Sequence, residues 1–117
     1  MLVIVDYKAG NLKSVERACR EVGVEAEISG DPEKIRHASR LIFPGVGAAG
    51  AAMASLQETG IDEAIREFFN LGRPVLGICL GLQISLNYSE ENETKTLDLI
   101  SGEVKKFRLK ETGLKIP

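Results

Sequence analysis

Aromatic residues and histidine are scarce in this 117-residue sequence, which contains no tryptophan, 5% aromatic residues and one histidine. Hydrophobic residues still make up 44% of the chain, so a core has to be built from Val, Ile, Leu and Ala. That filling is typical of a parallel sheet covered by helices. The length is typical of one domain with one core.

Cysteine is nearly as scarce. Cys19 and Cys79 lie far apart in the sequence, without a CxxC motif or a neighbouring histidine. This spacing argues against a zinc site and against a disulfide framework, so we expect no metal, no cofactor and a reducing, cytoplasmic location. Cys19 lies among apolar residues at helical spacing and is interpreted as a core residue.

Strong charge and long apolar runs are absent as well. The formal net charge is -2, which gives no basic footprint for nucleic acid or for an anionic membrane. No apolar stretch approaches the ~20 residues of a membrane span. Residues 1–6 also lack the basic flank and the small cleavage-site residues of a signal peptide. We therefore expect neither a nucleic-acid partner nor a membrane partner.

The sequence does contain an alternation of short apolar runs and amphipathic segments. Apolar runs predict strands, and apolar residues at three- and four-residue spacing predict helices. The predicted strands are residues 2–5, 24–28, 41–43 and 74–78, and the predicted helices are 12–22, 32–38, 48–58, 61–71 and 80–88. Their order predicts an α/β fold with an open, mostly parallel, doubly wound sheet and flanking helices.

Turn residues define some of these boundaries. We expect Gly23 to end the first helix, and Asp31 to cap the second helix with Pro32 in its first position. After the last helix, residues 97–100 and 103–109 predict a hairpin that turns at Ser101 and Gly102.

The chemically most informative segment is Gly77-Ile78-Cys79-Leu80-Gly81, a G-x-C-x-G sequence between a predicted strand and a predicted helix. This arrangement is typical of a nucleophile elbow, in which a sharp turn raises the nucleophile above the sheet and the glycines let neighbouring backbone pass. The start of the helix favours negative charge on the sulfur. A small buried cysteine is the plainer interpretation. Because strand, glycines and helix start coincide, we predict that Cys79 is the catalytic nucleophile.

Other motifs are predicted to lie beside Cys79, because the loops at the carboxyl ends of the strands in an open α/β sheet gather around the ligand. The Pro-Gly-Val-Gly loop at residues 44–47 can present backbone N–H groups. Together with the N–H of Leu80, it predicts a site for an oxyanion. Gln83 follows Cys79 by four residues, on the same helix face, where it can hydrogen-bond a substrate.

Two motifs, Gly-Ile-Cys-Leu-Gly-Leu-Gln at 77–83 and Phe-Pro-Gly-Val-Gly at 43–47, resemble the nucleophile and oxyanion motifs of class I glutamine amidotransferases. The Val-Asp-Tyr-Lys-Ala-Gly-Asn-Leu segment at 5–12 is similar to the glutaminase subunits of imidazole glycerol phosphate synthase. Residues 99–107 are similar to the segment that follows the elbow helix in those subunits, so the resemblance runs along the whole chain.

The resemblance implies glutamine hydrolysis through a Cys79 thioester. Backbone N–H groups near Val46, Gly47 and Leu80 would hold the oxyanion, and Gln83 would contact the substrate glutamine. It also implies a heterodimer with a cyclase subunit of the (β/α)8-barrel type, which receives the ammonia in histidine biosynthesis.

The sequence departs from that family at several points. Lys8 stands where the family usually has glycine, and Ala49 and Ala51 replace a usual aromatic residue and a usual acid. Family members carry the triad His and Glu near the end of a longer chain. We therefore expect residues 1–117 to be a single, truncated domain that is marginally stable and inactive alone. His37, in a short polar helix, is interpreted as a solvated residue rather than a base.

The residues leave three functions open. The first is the glutaminase subunit, and the second is another class I amidotransferase or a cysteine hydrolase with a similar elbow. The third is a non-catalytic binding or redox-sensing module that keeps the fold and uses Cys79 without turnover.

Overall fold

A computed structural model of the chain describes residues 1–108 and 113–114. Its main sheet has four parallel strands in the order β2-β1-β3-β4, and the direction of winding reverses between β1 and β3. The strands are β1 (Leu2–Val5), β2 (Ala26–Ser29), β3 (Arg40–Phe43) and β4 (Val75–Gly77). The helices are α1 (Leu12–Glu21), α2 (Pro32–His37), α3 (Ala49–Thr59), α4 (Ile61–Asn70) and α5 (Leu80–Ser85).

The two faces of the sheet carry separate apolar cores, because successive side chains of a strand point to opposite faces. Val3 of β1 and Phe43 of β3 belong to the larger core, which α2, α3, α4 and α5 cover. Ile4 and Ile42 point to the other face, where α1 contributes the buried Cys19. Helices on both faces confirm the predicted doubly wound α/β fold, and the burial of Cys19 confirms its interpretation as a core residue.

The predicted helix boundaries at Gly23 and Asp31 are confirmed. Gly23 has φ +78°, and the N–H groups of Gly23 and Val24 bond to the carbonyls of Arg20 and Cys19, which closes the end of α1. The Asp31 carboxylate accepts a hydrogen bond of 2.9 Å from the N–H of Glu33, with Pro32 in the first turn of α2.

The predicted extent of α5 is wrong, because the helix ends at Ser85 rather than near residue 88. The carbonyls of Ile84 and Ser85 accept hydrogen bonds from the N–H groups of Leu97 and Leu99, at 2.8 and 3.0 Å. Amides from a later segment thus take the carbonyls that a longer helix would use.

The predicted hairpin of residues 97–100 and 103–109 is also wrong over its described part. Residues 97–100 form a loop that caps α5, and Leu109 lies outside the described residues. Instead, a small second sheet in the order β6-β5-β7 contains β5 (Tyr88–Ser89), β6 (Thr94–Lys95) and β7 (Glu103–Val104). Its strand β7 pairs in parallel with β5, whereas a hairpin requires antiparallel neighbours.

The outer strands of the main sheet differ in how well they are covered. Strand β2 is an edge strand, as its alternating sequence predicts. Strand β4 pairs only with β3 among the described residues, and its Leu76 is 57% exposed. An apolar edge therefore faces solvent, and the marginal stability expected from such an edge stays a prediction.

Candidate active site

Cys79 lies at a strained turn between β4 and α5. Its φ and ψ are 56° and -118°, a combination that residues with a side chain rarely adopt, and its side chain is exposed. A Cβ added at Gly81 would lie 1.8 Å from the carbonyl oxygen of Phe43, and one added at Gly77 would lie 3.0 Å from the Cα of Leu82. The geometry of the elbow is thus as the sequence predicts, and the catalytic role of Cys79 stays a prediction.

The Pro-Gly-Val-Gly loop after β3 is bound directly to the elbow. The N–H of Ile78 donates to the Phe43 carbonyl at 3.0 Å, and the N–H of Leu80 donates to the Gly45 carbonyl at 3.3 Å. The residues on the two sides of Cys79 are therefore held by different elements, Ile78 by the last residue of β3 and Leu80 by the loop. The structure brings the predicted oxyanion loop and the predicted nucleophile together.

The three predicted oxyanion donors are not equally available. Val46 and Gly47 are exposed, Gly47 has φ +111°, and neither N–H has a hydrogen-bond partner within residues 1–108 and 113–114. The N–H of Leu80 is already bonded to the Gly45 carbonyl. An oxyanion on this site would meet two free donors, and a third that must first leave its carbonyl.

Tyr7, which the sequence analysis did not single out, is the buried neighbour of this loop. It is 1% exposed, and its hydroxyl donates a 2.6 Å hydrogen bond to the Pro44 carbonyl. Burial, with a smaller effect from the charge of nearby Cys79, raises the pKa of Tyr7 well above its usual range. Tyr7 is quoted in the sequence analysis only within the motif at residues 5–12, and that motif and the scarcity of aromatic residues were the signals that could have drawn attention to it.

Gln83 lies half-buried one helical turn after Cys79, at the wall of an open cleft of about 590 Å³. The other lining residues come from the second sheet and its loops: Glu90, Glu91, Val104, Lys105, Lys106 and Phe107. The cleft therefore offers an amide and groups of both charge signs. Residues 89–96 are assigned no element and no role in the sequence analysis, so the position of their carboxylates was missed.

Glu91 and Asn92 bond the segment of residues 89–96 to the start of helix α3. The Glu91 carboxylate accepts from the N–H of Ala49 at 3.2 Å, and the Asn92 side chain accepts from the N–H of Gly50 at 3.1 Å. Both donors are at the start of α3, which has no capping side chain of its own. Two residues far along the chain thus cap the helix that follows the Pro-Gly-Val-Gly loop.

The three residues that depart from the family pattern, Lys8, Ala49 and Ala51, differ in backbone conformation and burial. Lys8 has φ +65°, a left-handed conformation that glycine adopts without strain, and its N–H bonds to the Asp6 carboxylate at 3.1 Å. Ala49 is fully buried at the start of α3, whereas Ala51 is exposed.

His37 is far from the elbow in the topology of the sheet. It ends α2, just before the amino end of β3, whereas Cys79 follows the carboxyl end of the parallel strand β4. Its ring is exposed, and Nδ1 lies 2.8 Å from the Glu33 carbonyl. The interpretation of His37 as a solvated helix residue is confirmed.

Two other structural features, a metal-binding cluster and a membrane-spanning helix, are absent from the described residues. Within residues 1–108 and 113–114, no three His, Cys, Asp or Glu side chains group in a way that could hold a metal ion. No helix in the same part of the chain has the length and apolar character needed to cross a membrane.

The sequence of this chain matches a known protein family. The family model described as glutamine amidotransferase class-I matches residues 3–113. The chain belongs to that family. Among solved structures, a glutamine amidotransferase superposes on this amidotransferase domain with a TM-score of 0.74 at 19% identity, covering 87% of this chain and 54% of that one, and so shows the fold.

Curated relatives are much closer in sequence. The imidazole glycerol phosphate synthase subunit HisH of Nitratidesulfovibrio vulgaris (strain DP4) is 55% identical over 107 residues, which cover 92% of this chain and 50% of that protein. The subunit HisH of Sulfurimonas denitrificans is 48% identical over 121 residues, which cover 100% of this chain and 58% of that protein. The chain spans about half the length of the curated relatives that it matches.

Proposed function

We propose that this amidotransferase chain carries the nucleophile and the oxyanion loop of a glutaminase subunit of imidazole glycerol phosphate synthase. The observation that supports this most directly is the strained Cys79 elbow, which is bonded to the Pro-Gly-Val-Gly loop through the N–H of Leu80 and to the end of β3 through the N–H of Ile78. The family match and the 55% identity to a subunit HisH point to the same reaction.

The proposed reaction begins at the Cys79 sulfur. The thiolate attacks the side-chain amide carbon of glutamine, and the N–H groups of Val46 and Gly47 stabilise the negative oxygen. The C–N bond then breaks as the leaving NH2 group takes a proton from water, so that ammonia departs and a γ-glutamyl thioester remains on Cys79. Water hydrolyses the thioester to glutamate and restores the thiol. His37 lies at the amino end of the strands, whereas Cys79 lies at their carboxyl end, so we expect the proton transfers to be slow in this chain alone.

Glutamine fits the chemistry of the cleft beside Gln83. The substrate is a zwitterion with a polar side chain, and the cleft is lined by an amide, two carboxylates and two lysines. In this proposal the carboxylates of Glu90 and Glu91, which also accept from the N–H groups of Lys106 and Ala49, attract the α-ammonium group, and the lysines attract the α-carboxylate. Gln83 then directs the side-chain amide out of the cleft toward Cys79, which directly precedes α5 and is not one of the lining residues.

The name of the relatives supplies the proposed partner. They are subunits of imidazole glycerol phosphate synthase. We infer that the ammonia is passed to a cyclase subunit of the (β/α)8-barrel type in a cytoplasmic heterodimer for histidine biosynthesis, as the sequence resemblance implies. The reaction needs no cofactor, because the thiol and the backbone donors supply its chemistry.

The test uses a glutamine analogue in which a chloromethyl group replaces the side-chain NH2. Its ketone should bring the reactive carbon to Cys79, so the rate of alkylation should exceed that by chloroacetamide and fall when L-glutamine is added. Peptide mass spectrometry locates the adduct, and the buried Cys19 serves as an internal control. Gln83→Ala should slow labelling about tenfold through the loss of a substrate hydrogen bond, whereas the neighbouring exposed Leu82→Ala should not.

Equal labelling by the analogue and by chloroacetamide, with no effect of L-glutamine, would contradict the proposal. That outcome would favour the non-catalytic module, in which Cys79 reacts as an ordinary exposed thiol. Labelling by the analogue that Gln83→Ala leaves unchanged would contradict the assigned role of Gln83 alone.

A further inference from the structure

Tyr7 joins the loop after β1 to the loop after β3. Its ring packs against Phe43, with ring centres 5.2 Å apart at an angle of 50°. Its backbone carbonyl accepts a 2.9 Å hydrogen bond from the Ser55 hydroxyl on α3. The side chain is therefore fixed at its base by α3 and along its ring by the last residue of β3.

The hydroxyl of Tyr7 lies where the Pro-Gly-Val-Gly loop begins. It donates to the buried Pro44 carbonyl at 2.6 Å, and a Cβ added at the next residue, Gly45, would lie 2.0 Å from the same hydroxyl oxygen. Glycine is thus required at position 45 because Tyr7 occupies the space. A buried carbonyl that lost this donor would be left unsatisfied, which is costly.

The contact continues from this loop to the elbow. The Gly45 carbonyl accepts from the N–H of Leu80, which directly follows Cys79. The free N–H groups of Val46 and Gly47 come next in the same loop. Tyr7, the loop and the nucleophile therefore form one continuous set of contacts. The Tyr7 hydroxyl is protonated, and hence a donor, at neutral pH, and its raised pKa extends this state to alkaline pH.

We propose that Tyr7 is a positioning residue whose buried hydroxyl, through the Pro44 carbonyl, fixes the backbone of residues 45–47 relative to Cys79. It does not touch the reacting atoms itself. The part of this inference that calls residues 45–47 an oxyanion site rests on the proposed function, whereas the positioning of the loop rests on the contacts alone.

The experiment compares Tyr7→Phe with the unchanged chain by NMR. Tyr88→Phe is the matched control, because it removes a hydroxyl from the half-buried tyrosine of the second sheet. In Tyr7→Phe we expect lower order parameters for the amides of Gly45, Val46 and Gly47, and about tenfold faster exchange of the Leu80 amide. Amides in α1 should change as little as in Tyr88→Phe. A uniform loss of protection in all elements, or no change at residues 45–47 and 80, would overturn the proposal.

A second readout connects the loop to the reaction. The rate of Cys79 alkylation by the chloromethyl ketone, divided by the rate with chloroacetamide, should fall about tenfold in Tyr7→Phe. The ketone makes use of the oxyanion donors, and chloroacetamide serves as the reference. If the unchanged chain shows no preference for the ketone, the proposed function fails while the NMR result still decides the role of Tyr7. If the preference is present and survives in Tyr7→Phe, the positioning role fails alone.

Should Tyr7→Phe not fold, the unchanged chain still provides a test. The hydroxyl proton of Tyr7 should give its own slowly exchanging signal, with a nuclear Overhauser effect to the α-protons of Gly45. A hydroxyl proton that exchanges as fast as that of Tyr88 would contradict the buried hydrogen bond on which the proposal depends.

Discussion

The two ends of the four-stranded sheet differ sharply in strain and in close contact. At the carboxyl end, Cys79 and Lys8 adopt positive φ angles, and Gly81 leaves no room for a side chain. At the amino end, Gly72 has open space around it, and ordinary hydrogen bonds suffice, such as those from Arg73 to the carbonyls of Arg36 and Ala38. A strained backbone persists only where the surrounding contacts hold it in place. In this sheet the strained residues lie at and near the proposed nucleophile.

The largest expected difference between the two ends comes from adding one methyl group. Gly81→Ala places a Cβ 1.8 Å from the Phe43 carbonyl oxygen, so we expect the free energy of unfolding to fall by about 3 kcal/mol or more. In Gly72→Ala the new Cβ has no atom within 4 Å. The only unfavourable term is the left-handed backbone at φ +74°, which should lower the free energy of unfolding by about 1 kcal/mol. Urea unfolding of both variants measures the difference. Equal losses would contradict the account of the elbow.

The strain at Cys79 itself can be measured by comparing two replacements of the thiol. Cys79→Gly should be about 1–2 kcal/mol more stable than Cys79→Ala, because glycine adopts φ 56° and ψ -118° without a side-chain clash. The same pair at Cys19, which lies in the helix α1, should rank in the opposite order by about 1 kcal/mol. An identical ranking at both cysteines would remove the evidence for a strained elbow.

The buried phenol at the carboxyl end predicts a dependence of stability on alkaline pH. The pKa of Tyr7 is raised in the folded state, so the folded chain holds this proton more tightly than the unfolded chain does. This stability is fully present below pH ~10 and is lost as the pH rises further, by about 1 kcal/mol at one unit above that value. Unfolding of Tyr7→Phe should lack this loss, whereas Tyr88→Phe should retain it. A loss of equal size in both variants would contradict the assignment.

The smallest effect is expected at the amino end. His37→Ala removes an exposed side chain that lies at the opposite end of the strands from Cys79, so stability should change by less than about 0.5 kcal/mol. The rate at which the chloromethyl ketone labels Cys79 should not change. A marked fall in that rate would show that His37 reaches the site and that the comparison of the two ends is wrong.

The sequence predicts the parts of this molecule that depend on local patterns. Apolar runs and helical spacing identify the main sheet and its helices, and the caps at Gly23 and Asp31 follow from local turn chemistry. The G-x-C-x-G spacing likewise identifies the elbow. Each of these features is decided by residues that are close together in the chain.

The features that the sequence missed depend on distant partners. The hairpin after α5 failed because the amides of residues 97–100 bond to the end of that helix instead of pairing as a strand. Tyr7 is held by its hydrogen bond to the Pro44 carbonyl, and Glu91 by its hydrogen bond from the N–H of Ala49. No local sequence pattern reveals these contacts. The engagement of the Leu80 amide by the Gly45 carbonyl could not be foreseen either.

The central claim is that the carboxyl end of the sheet holds glutamine against Cys79. The most direct test is to measure the rate at which iodoacetamide alkylates Cys79 at increasing concentrations of L-glutamine and, separately, of D-glutamine. The account predicts saturable protection by L-glutamine and little by D-glutamine. Alkylation that is unaffected by either enantiomer would contradict the claim.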